Sequence, residues 1–83
     1  MPVGKISNIE VPRGSGGVTI VFEDGAKVFA DNGPFFRAMD DAVGDVIQPD
    51  HSVDLTQIIG LTIEYFTADW SDQFIEGFNL IED

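Results

Sequence analysis

Apolar and polar residues alternate along five segments of this chain, and alternation with a period of two predicts β-strands. The five segments are residues 4–11, 18–23, 26–31, 58–66 and 74–81. Pro12 ends the first segment, and the glycine-rich residues 13–17 (RGSGG) predict a flexible turn after it. The polar residues 67–73 (TADWSDQ) predict another turn, and Gly77 predicts a bulge within the last strand.

Turn chemistry determines which residues of the second and third strands face inward. A two-residue loop would pair Glu23 with Ala26, whereas a three-residue loop with Gly25 in a left-handed bulge would pair Phe22 with Ala26. The second register separates apolar from polar residues better, so we predict the bulged turn. Its inward face carries Val18, Ile20, Phe22, Ala26, Val28 and Ala30. Its outward face carries Thr19, Val21, Glu23, Lys27, Phe29 and Asp31.

A helix signal follows the third strand and predicts a short amphipathic helix over residues 34–43. Asp31, Asn32 or Gly33 is suited to the cap and Pro34 to the first turn, and Gly44 is suited to the position just past the end. The apolar residues in between form one stripe at helical spacing. They are Phe36, Met39 and Val43, with Phe35 and Ala42 beside them.

The predicted order of elements is strand, strand, strand, helix, strand, strand. Residues 45–57 have no sustained period and predict a connection, which is either a functional loop or one that hides a short helical turn. A chain this short holds one core, so residues 1–83 are expected to form a single domain. A five-stranded barrel with its helix between the third and fourth strands is the OB-fold layout, and we predict a mainly β, OB-like barrel. An SH3-like barrel and an open α+β sheet are the alternatives.

The layout also resembles that of cold-shock domains. The resemblance rests on the Gly4-Lys5 start of the first strand, the Val28-Phe29 pair in the third, and a G-x-x-I-x-Y spacing in the fourth. The aromatic and lysine motif that such domains carry on strand two is replaced here by SGGVTIVFE, and an inserted helix lengthens the chain. The resemblance therefore implies a topology, and no binding residues are transferred from it.

Charge is distributed unevenly along the chain, whose formal net charge is −11 at pH 7. Residues 1–39 hold four basic and four acidic side chains, whereas residues 40–83 hold eleven acidic side chains and no Lys or Arg. This excess disfavours nucleic acid and anionic membranes as partners. The chain has no cysteine, which excludes disulfides and thiolate metal sites and fits a reducing compartment. Since it also has no hydrophobic signal region and no apolar run of the ~18–20 residues that a membrane span needs, we expect a cytoplasmic protein.

The first candidate interaction site is Phe29 with Lys27 beside it. An outward aromatic residue on the second and third strands of an OB barrel is where bases or rings stack. The alternative is that the helix or the N-terminal segment covers Phe29. Nucleic acid binding would need about as many cations as phosphates neutralised, and the chain has four Lys and Arg residues in all. Weak binding of a single strand or a small ring compound is therefore the secondary hypothesis.

The second candidate site is the aromatic group around Trp70 and Phe66, with Phe74 and Phe78 nearby. Trp70 lies in a polar stretch, and Phe66 has the outward parity of its strand. Aromatic residues surrounded by acids are typical of a patch that binds a basic protein partner. In the alternative reading, Trp70 closes the barrel end over the core.

Two acidic groups are candidates for cation or catalytic sites. Residues 50–54 (DHSVD) hold the only histidine, His51, between carboxylates, but three or four fixed ligands are the norm for zinc and adjacent Ser and His side chains diverge. Asp40, Asp41 and Asp45 surround the helix end, without the spacing of a calcium loop. Both groups are interpreted as solvated, and we predict no catalytic residue, metal or cofactor.

These observations predict a non-enzymatic acidic β-barrel that acts through its surface. The expected partner is another protein, particularly a basic one, with Phe66 and Trp70 as apolar anchors. Self-association into a homo-oligomer is a close variant, because a small core gains stability from a dimer.

Overall fold

The computed structural model describes residues 2–12, 14 and 16–81, and it consists of five strands and one α-helix. A short 3₁₀ turn, Leu55–Gln57, precedes the fourth strand. The elements are β1 (Val3–Glu10), β2 (Gly17–Phe22), β3 (Lys27–Asp31), α1 (Asn32–Val43), β4 (Thr62–Ala68) and β5 (Ser71–Ile81).

The five strands form a closed barrel in the order β1-β2-β3-β5-β4. Antiparallel pairing joins β1 to β2 and β4, β2 to β3, and β4 to β5. The ring closes through a parallel pair between β3 and β5. This confirms the predicted mainly β, OB-like barrel with its helix between the third and fourth strands. The closed ring excludes the open sheet, and the helix position with the parallel β3–β5 pair distinguishes the fold from an SH3-like barrel.

The β2–β3 hairpin has the predicted register. The Phe22 N–H donates to the Ala26 carbonyl at 2.9 Å, and Gly25 has a φ of +89°, which favours glycine. Val18, Ile20, Phe22, Val28 and Ala30 are all buried, as the inward face requires. Ala26 is the exception, because it lies in the turn just before β3 and is exposed.

Helix α1 begins at Asn32, two residues before the predicted start at Pro34. Asp31 is its N-cap through extended backbone geometry but makes no side-chain capping hydrogen bond. Gly44 follows the last helical residue, as predicted. The buried stripe consists of Phe35, Phe36 and Met39, with Val43 partly buried against the same core.

The connection after α1 is more ordered than its sequence pattern indicates. Ile47 pairs with Val53 in an isolated bridge, and the predicted hidden helical turn is the 3₁₀ turn at Leu55–Gln57. Ile58 is fully buried but belongs to the turn that precedes β4, which begins at Thr62. The predicted strand start at residue 58 was therefore wrong, because a buried apolar residue in a turn has the same pattern as one in a strand.

The β4–β5 hairpin is longer than predicted. Only Asp69 and Trp70 form its turn, so most of the stretch predicted as a polar turn, residues 67–73, is strand, and β5 starts at Ser71 instead of Phe74. Phe66 pairs with Gly77 and Thr67 with Ile75, which leaves Glu76 as the extra residue of a β-bulge. The bulge predicted at Gly77 is thus confirmed within one residue.

The barrel interior and the inner face of α1 share one apolar core. Its fully buried side chains include Ile6, Ile20, Met39, Ile58 and Ile63. Among the described residues no polar or charged residue is buried. In the same part of the chain, no helix is long and apolar enough to cross a membrane.

Candidate interaction surface

Phe29 projects outward from the barrel wall, as the hairpin register predicts. Its side chain is 43% exposed, so neither α1 nor the N-terminal segment covers it. Phe29 is also the β3 residue that pairs with Phe74 of β5 across the parallel seam. Paired residues on neighbouring strands project to the same face of a sheet, and Phe74 therefore lies beside Phe29 on the outside. Ile75, the next residue, is buried in the core.

Trp70 occupies the β4–β5 turn and is 72% exposed, so it does not close the barrel end over the core. Its ring contacts that of Phe74, with 4.9 Å between the centroids and 35° between the planes. Phe74 thereby links the two exposed aromatic residues. We call Phe29, Phe74 and Trp70 the aromatic strip.

Phe66 lies apart from the aromatic strip. It is half-buried and lies over Gly77, where a Cβ atom would stand 3.4 Å from the Phe66 Cδ2 atom. An aromatic ring that covers a glycine on a neighbouring strand shields backbone that has no side chain of its own. Among the described residues Phe66 makes no ring contact with Trp70 or Phe29.

Lys27 is exposed two residues before Phe29 on β3, and the strand period puts both on the outer face. In the described part of the chain the only ion pair joins Lys5 to Glu23, with 3.7 Å between Nζ and Oε1. Lys27 is thus a cation at the edge of the aromatic strip without a carboxylate partner there.

A shallow cavity of about 290 Å³ lies against the strip. Phe29 and Phe74 form one side, and Thr19 of β2 and Pro12 of the β1–β2 connection contribute to the rest. The cavity therefore lies on the strand 2–3 face next to the β1–β2 connection, which is one of the two loops that border the ligand site of OB barrels.

Acidic side chains surround the strip. Asp31 follows Phe29 by two residues and lines the shallow cavity, and Asp69 shares the β4–β5 turn with Trp70. Asp72 and Glu76 are exposed on β5, on either side of Phe74 in the sequence. Aromatic faces with acids around them attract cations, through both the carboxylates and the ring quadrupoles.

The loop histidine is remote in the sequence from this surface, and its neighbours bond with one another. The Ser52 hydroxyl donates to Asp50 Oδ1 at 2.6 Å, so Ser52 is not oriented towards His51. That bond, together with the Ser52 N–H, lowers the pKa of Asp50. The Thr56 hydroxyl and N–H lower the pKa of Asp54 in the same way. These carboxylates stabilise turns, and His51 is exposed between them.

Asp40 has a structural role that the sequence did not indicate. Its Oδ1 atom accepts hydrogen bonds from the N–H groups of Val46 and Ile47, both at 3.0 Å. The carboxylate thus fixes the chain as it leaves α1, while Asp41 is exposed. Among the described residues, no group of three or more His, Cys, Asp or Glu side chains is arranged to hold a metal ion.

Phe74 is the residue that sequence reasoning undervalued. The sequence puts it near Trp70 and Phe66, but its position between Trp70 and Phe29 depends on the parallel β3–β5 pair. Only its outward parity next to the apolar Ile75 could have suggested an exposed ring. Comparisons of this chain with protein-family models, curated proteins and solved structures give no match.

Proposed function

We propose that this protein is a non-enzymatic interaction module, which binds a basic protein partner through the aromatic strip. The supporting observation is that Trp70 contacts Phe74 and that Phe74 pairs with Phe29 on the outside of the barrel, with Trp70 at 72% and Phe29 at 43% exposure. Exposed aromatic residues that lie together are typical anchors of protein interfaces.

The charge around the strip selects the partner's chemistry. Asp31, Asp69, Asp72 and Glu76 lie near the strip in the sequence, and the chain as a whole carries −11. Two copies of such a chain repel each other, so a basic partner is favoured over self-association. The lack of cysteine is compatible with a cytoplasmic location, which is part of this proposal.

A second candidate is the binding of single-stranded nucleic acid or a small ring compound on the Lys27/Phe29 face. The observation that favours it is that Phe29 is exposed on the strand 2–3 face, where bases stack on OB barrels, and lines a cavity with Pro12 of the β1–β2 connection. Lys27 is the one basic residue close to Phe29 in the sequence, and a single cation is too few for strong binding of a polyanion.

Fluorescence of Trp70, the only tryptophan, can decide between the candidates. The protein is titrated with a basic peptide of alternating Lys and Leu residues and, separately, with a thymidine oligonucleotide. We expect the peptide to change the emission, the oligonucleotide to leave it unchanged, and the response to weaken as salt is added.

Phe29→Ser tests whether the strip is the surface involved. It should weaken peptide binding by about tenfold, the effect of losing an interface anchor. Ile59→Ser is the matched control, since Ile59 is 41% exposed in the turn before β4 and is not part of the strip. Equal affinities in the two variants would overturn the proposal, and tight oligonucleotide binding that Phe29→Ser removes would support the second candidate instead.

A further inference from the structure

Strand β5 has an open edge beyond the point where it pairs with β3. Phe29 pairs with Phe74, and β3 ends at Asp31, only two residues later. β5 continues to Ile81, with β4 on its other side. Within the described residues, β5 therefore has no strand partner on the β3 side from Gly77 onwards. An edge of this kind presents backbone N–H and C=O groups to an incoming chain.

Helix α1 lies beside this edge and leaves a groove of about 350 Å³ between itself and β5. Pro34 and Ala38 line the helix side, and Gly77 lies on the strand side. Phe35 and Phe78 also line the groove, with their ring centroids 5.6 Å apart. The volume is within the range of ~300–1,000 Å³ typical of ligand sites.

The charges of the groove are all of one sign. Asp31 and Glu76 line it, and no Lys or Arg is among its described lining residues. Asp41 follows Ala38 by three residues and Arg37 by four, so it lies between the sides of α1 that these two residues occupy. Arg37 precedes Ala38 and points about 100° away around the helix. An occupant with basic side chains complements this arrangement, whereas a second copy of the chain or a nucleic acid would be repelled.

We propose that the groove binds an extended, basic segment of a protein partner, which adds as a strand to the open edge of β5 and packs an apolar side chain against the half-buried Phe78. Strand addition of this kind derives its affinity from backbone hydrogen bonds and its specificity from pockets for alternate side chains. The inference rests on the proposed function and defines its partner further. Asp31 and Phe74 line both this groove and the shallow cavity, so the bound segment continues onto the aromatic strip.

A display library of random 12-residue peptides, selected on the immobilised wild-type protein, tests the proposal. We expect enriched peptides to combine Lys or Arg with apolar residues. Ala38→Trp, which fills the groove from an exposed helix position, should lower the affinity of a selected peptide at least about tenfold. Arg37→Trp is the control, because this position lies about 100° around the helix from Ala38 and does not line the groove. Because it removes a cation, any electrostatic effect it has would strengthen the binding of a basic peptide.

The charge of the groove is tested separately. Glu76→Gln should weaken binding about two- to fivefold, and the loss should shrink as salt is added. Glu64→Gln removes the same charge from β4, outside the groove, and should leave the affinity within about twofold of wild type. Enrichment of acidic peptides would overturn the proposal. So would a selection in which no peptide binds the wild-type protein more tightly than the Ala38→Trp protein.

Strand addition also predicts an alternating response of the peptide backbone, measured on the wild-type protein alone. Only every second amide of an added strand faces β5. N-methylation of an amide that faces β5 should therefore weaken binding about tenfold, whereas N-methylation of the amides in between should have little effect. Equal effects at the two alternating sets of amides would contradict an added strand. This measurement holds even if Ala38→Trp fails to fold.

The variants distinguish this inference from the proposed function. If Phe29→Ser weakens binding of the selected peptide but Ala38→Trp does not, the aromatic strip binds the partner and the groove does not. If neither variant has an effect, both proposals are wrong.

Discussion

The inside and the outside of the barrel each hold a pair of aromatic rings in contact, and the two pairs differ in what their contact stabilises. Phe22 and Tyr65 stack inside, with centroids 5.1 Å apart and planes at 9°. Trp70 and Phe74 meet outside at 4.9 Å. The distances are nearly equal, but Phe22 is 2% exposed and Trp70 is 72% exposed.

The comparison shows that burial separates an aromatic residue that stabilises the fold from one that is available for binding. Phe22 is removed from water on folding, which stabilises the barrel by the hydrophobic effect. Trp70 keeps most of its surface in water, so a partner can still gain free energy by covering it. The largest expected effects on stability therefore belong to the interior pair.

The sharpest test compares two phenylalanines of one hairpin. Phe22→Ala should lower the free energy of unfolding by about 3–5 kcal/mol, because it leaves a cavity in the core. Phe29→Ala should lower it by less than about 1 kcal/mol, since the ring is already exposed. Urea denaturation of both variants measures the difference. Similar losses in the two would mean that Phe29 belongs to the core and not to a binding surface.

Two glycines that touch aromatic rings extend the comparison. A Cβ atom at Gly4 would lie 2.6 Å from Cδ1 of the buried Phe22, whose stacked ring has little room to move. Gly4→Ala should therefore cost about 1–3 kcal/mol of stability by overpacking. A Cβ atom at Gly77 would lie 3.4 Å from Cδ2 of the half-buried Phe66, so Gly77→Ala should change stability by less than about 0.5 kcal/mol. Thermal unfolding of the two variants would contradict this account if Gly77→Ala proved the more harmful.

The same contrast applies to two neighbouring acids. Asp40→Ala should cost about 1–2 kcal/mol, because it leaves the N–H groups of Val46 and Ile47 without their acceptor. Asp41→Ala should be neutral or stabilising by up to about 0.5 kcal/mol, because a carboxylate near the helix C-terminus opposes the macrodipole. Denaturant titrations compare them, and an equal cost would exclude a special role for Asp40.

The smallest effect concerns the pH dependence of the interior pair. Burial, with a further contribution from the charge of Asp24, raises the pKa of Tyr65 above its ordinary value of about 10. The folded state then holds the phenolic proton more tightly than the unfolded state. Stability from this group is thus complete below about pH 10 and is lost as the pH rises through the raised pKa. Ultraviolet absorbance can follow the ionisation of Tyr65, the only tyrosine. A measured pKa at or below the ordinary value would contradict the burial of its phenol group.

Local pattern predicted much of the fold. The alternation of residues 18–31 determined the hairpin register, and that register assigned Phe22 to the core and Phe29 to the surface. The element order indicated an OB-like barrel, because short apolar strands close into a barrel to cover their edges. Boundaries were less certain, since the buried Ile58 lies in a turn and the polar residues before Phe74 already belong to β5.

The candidate surface was predicted only in part. Exposure of Phe29 and Trp70 agrees with their polar neighbours, but Phe66 was expected to be an anchor beside Trp70 and instead covers Gly77. Parity identifies the face of a residue, whereas the bulge at Glu76 changes which outward residues become neighbours.

The sequence by itself determined the strand pattern, the turn at Gly25, the helix after β3 and the acidic excess of the second half. These depend on steric preferences, hydrophobic period and charge, which act over a few residues or sum over the chain. Tertiary structure alone decided that Phe74 joins Trp70 to Phe29, that Asp40 holds the loop after α1, and that a groove remains beside β5. Each of these depends on how the barrel closes, which brings together segments that are distant in the chain.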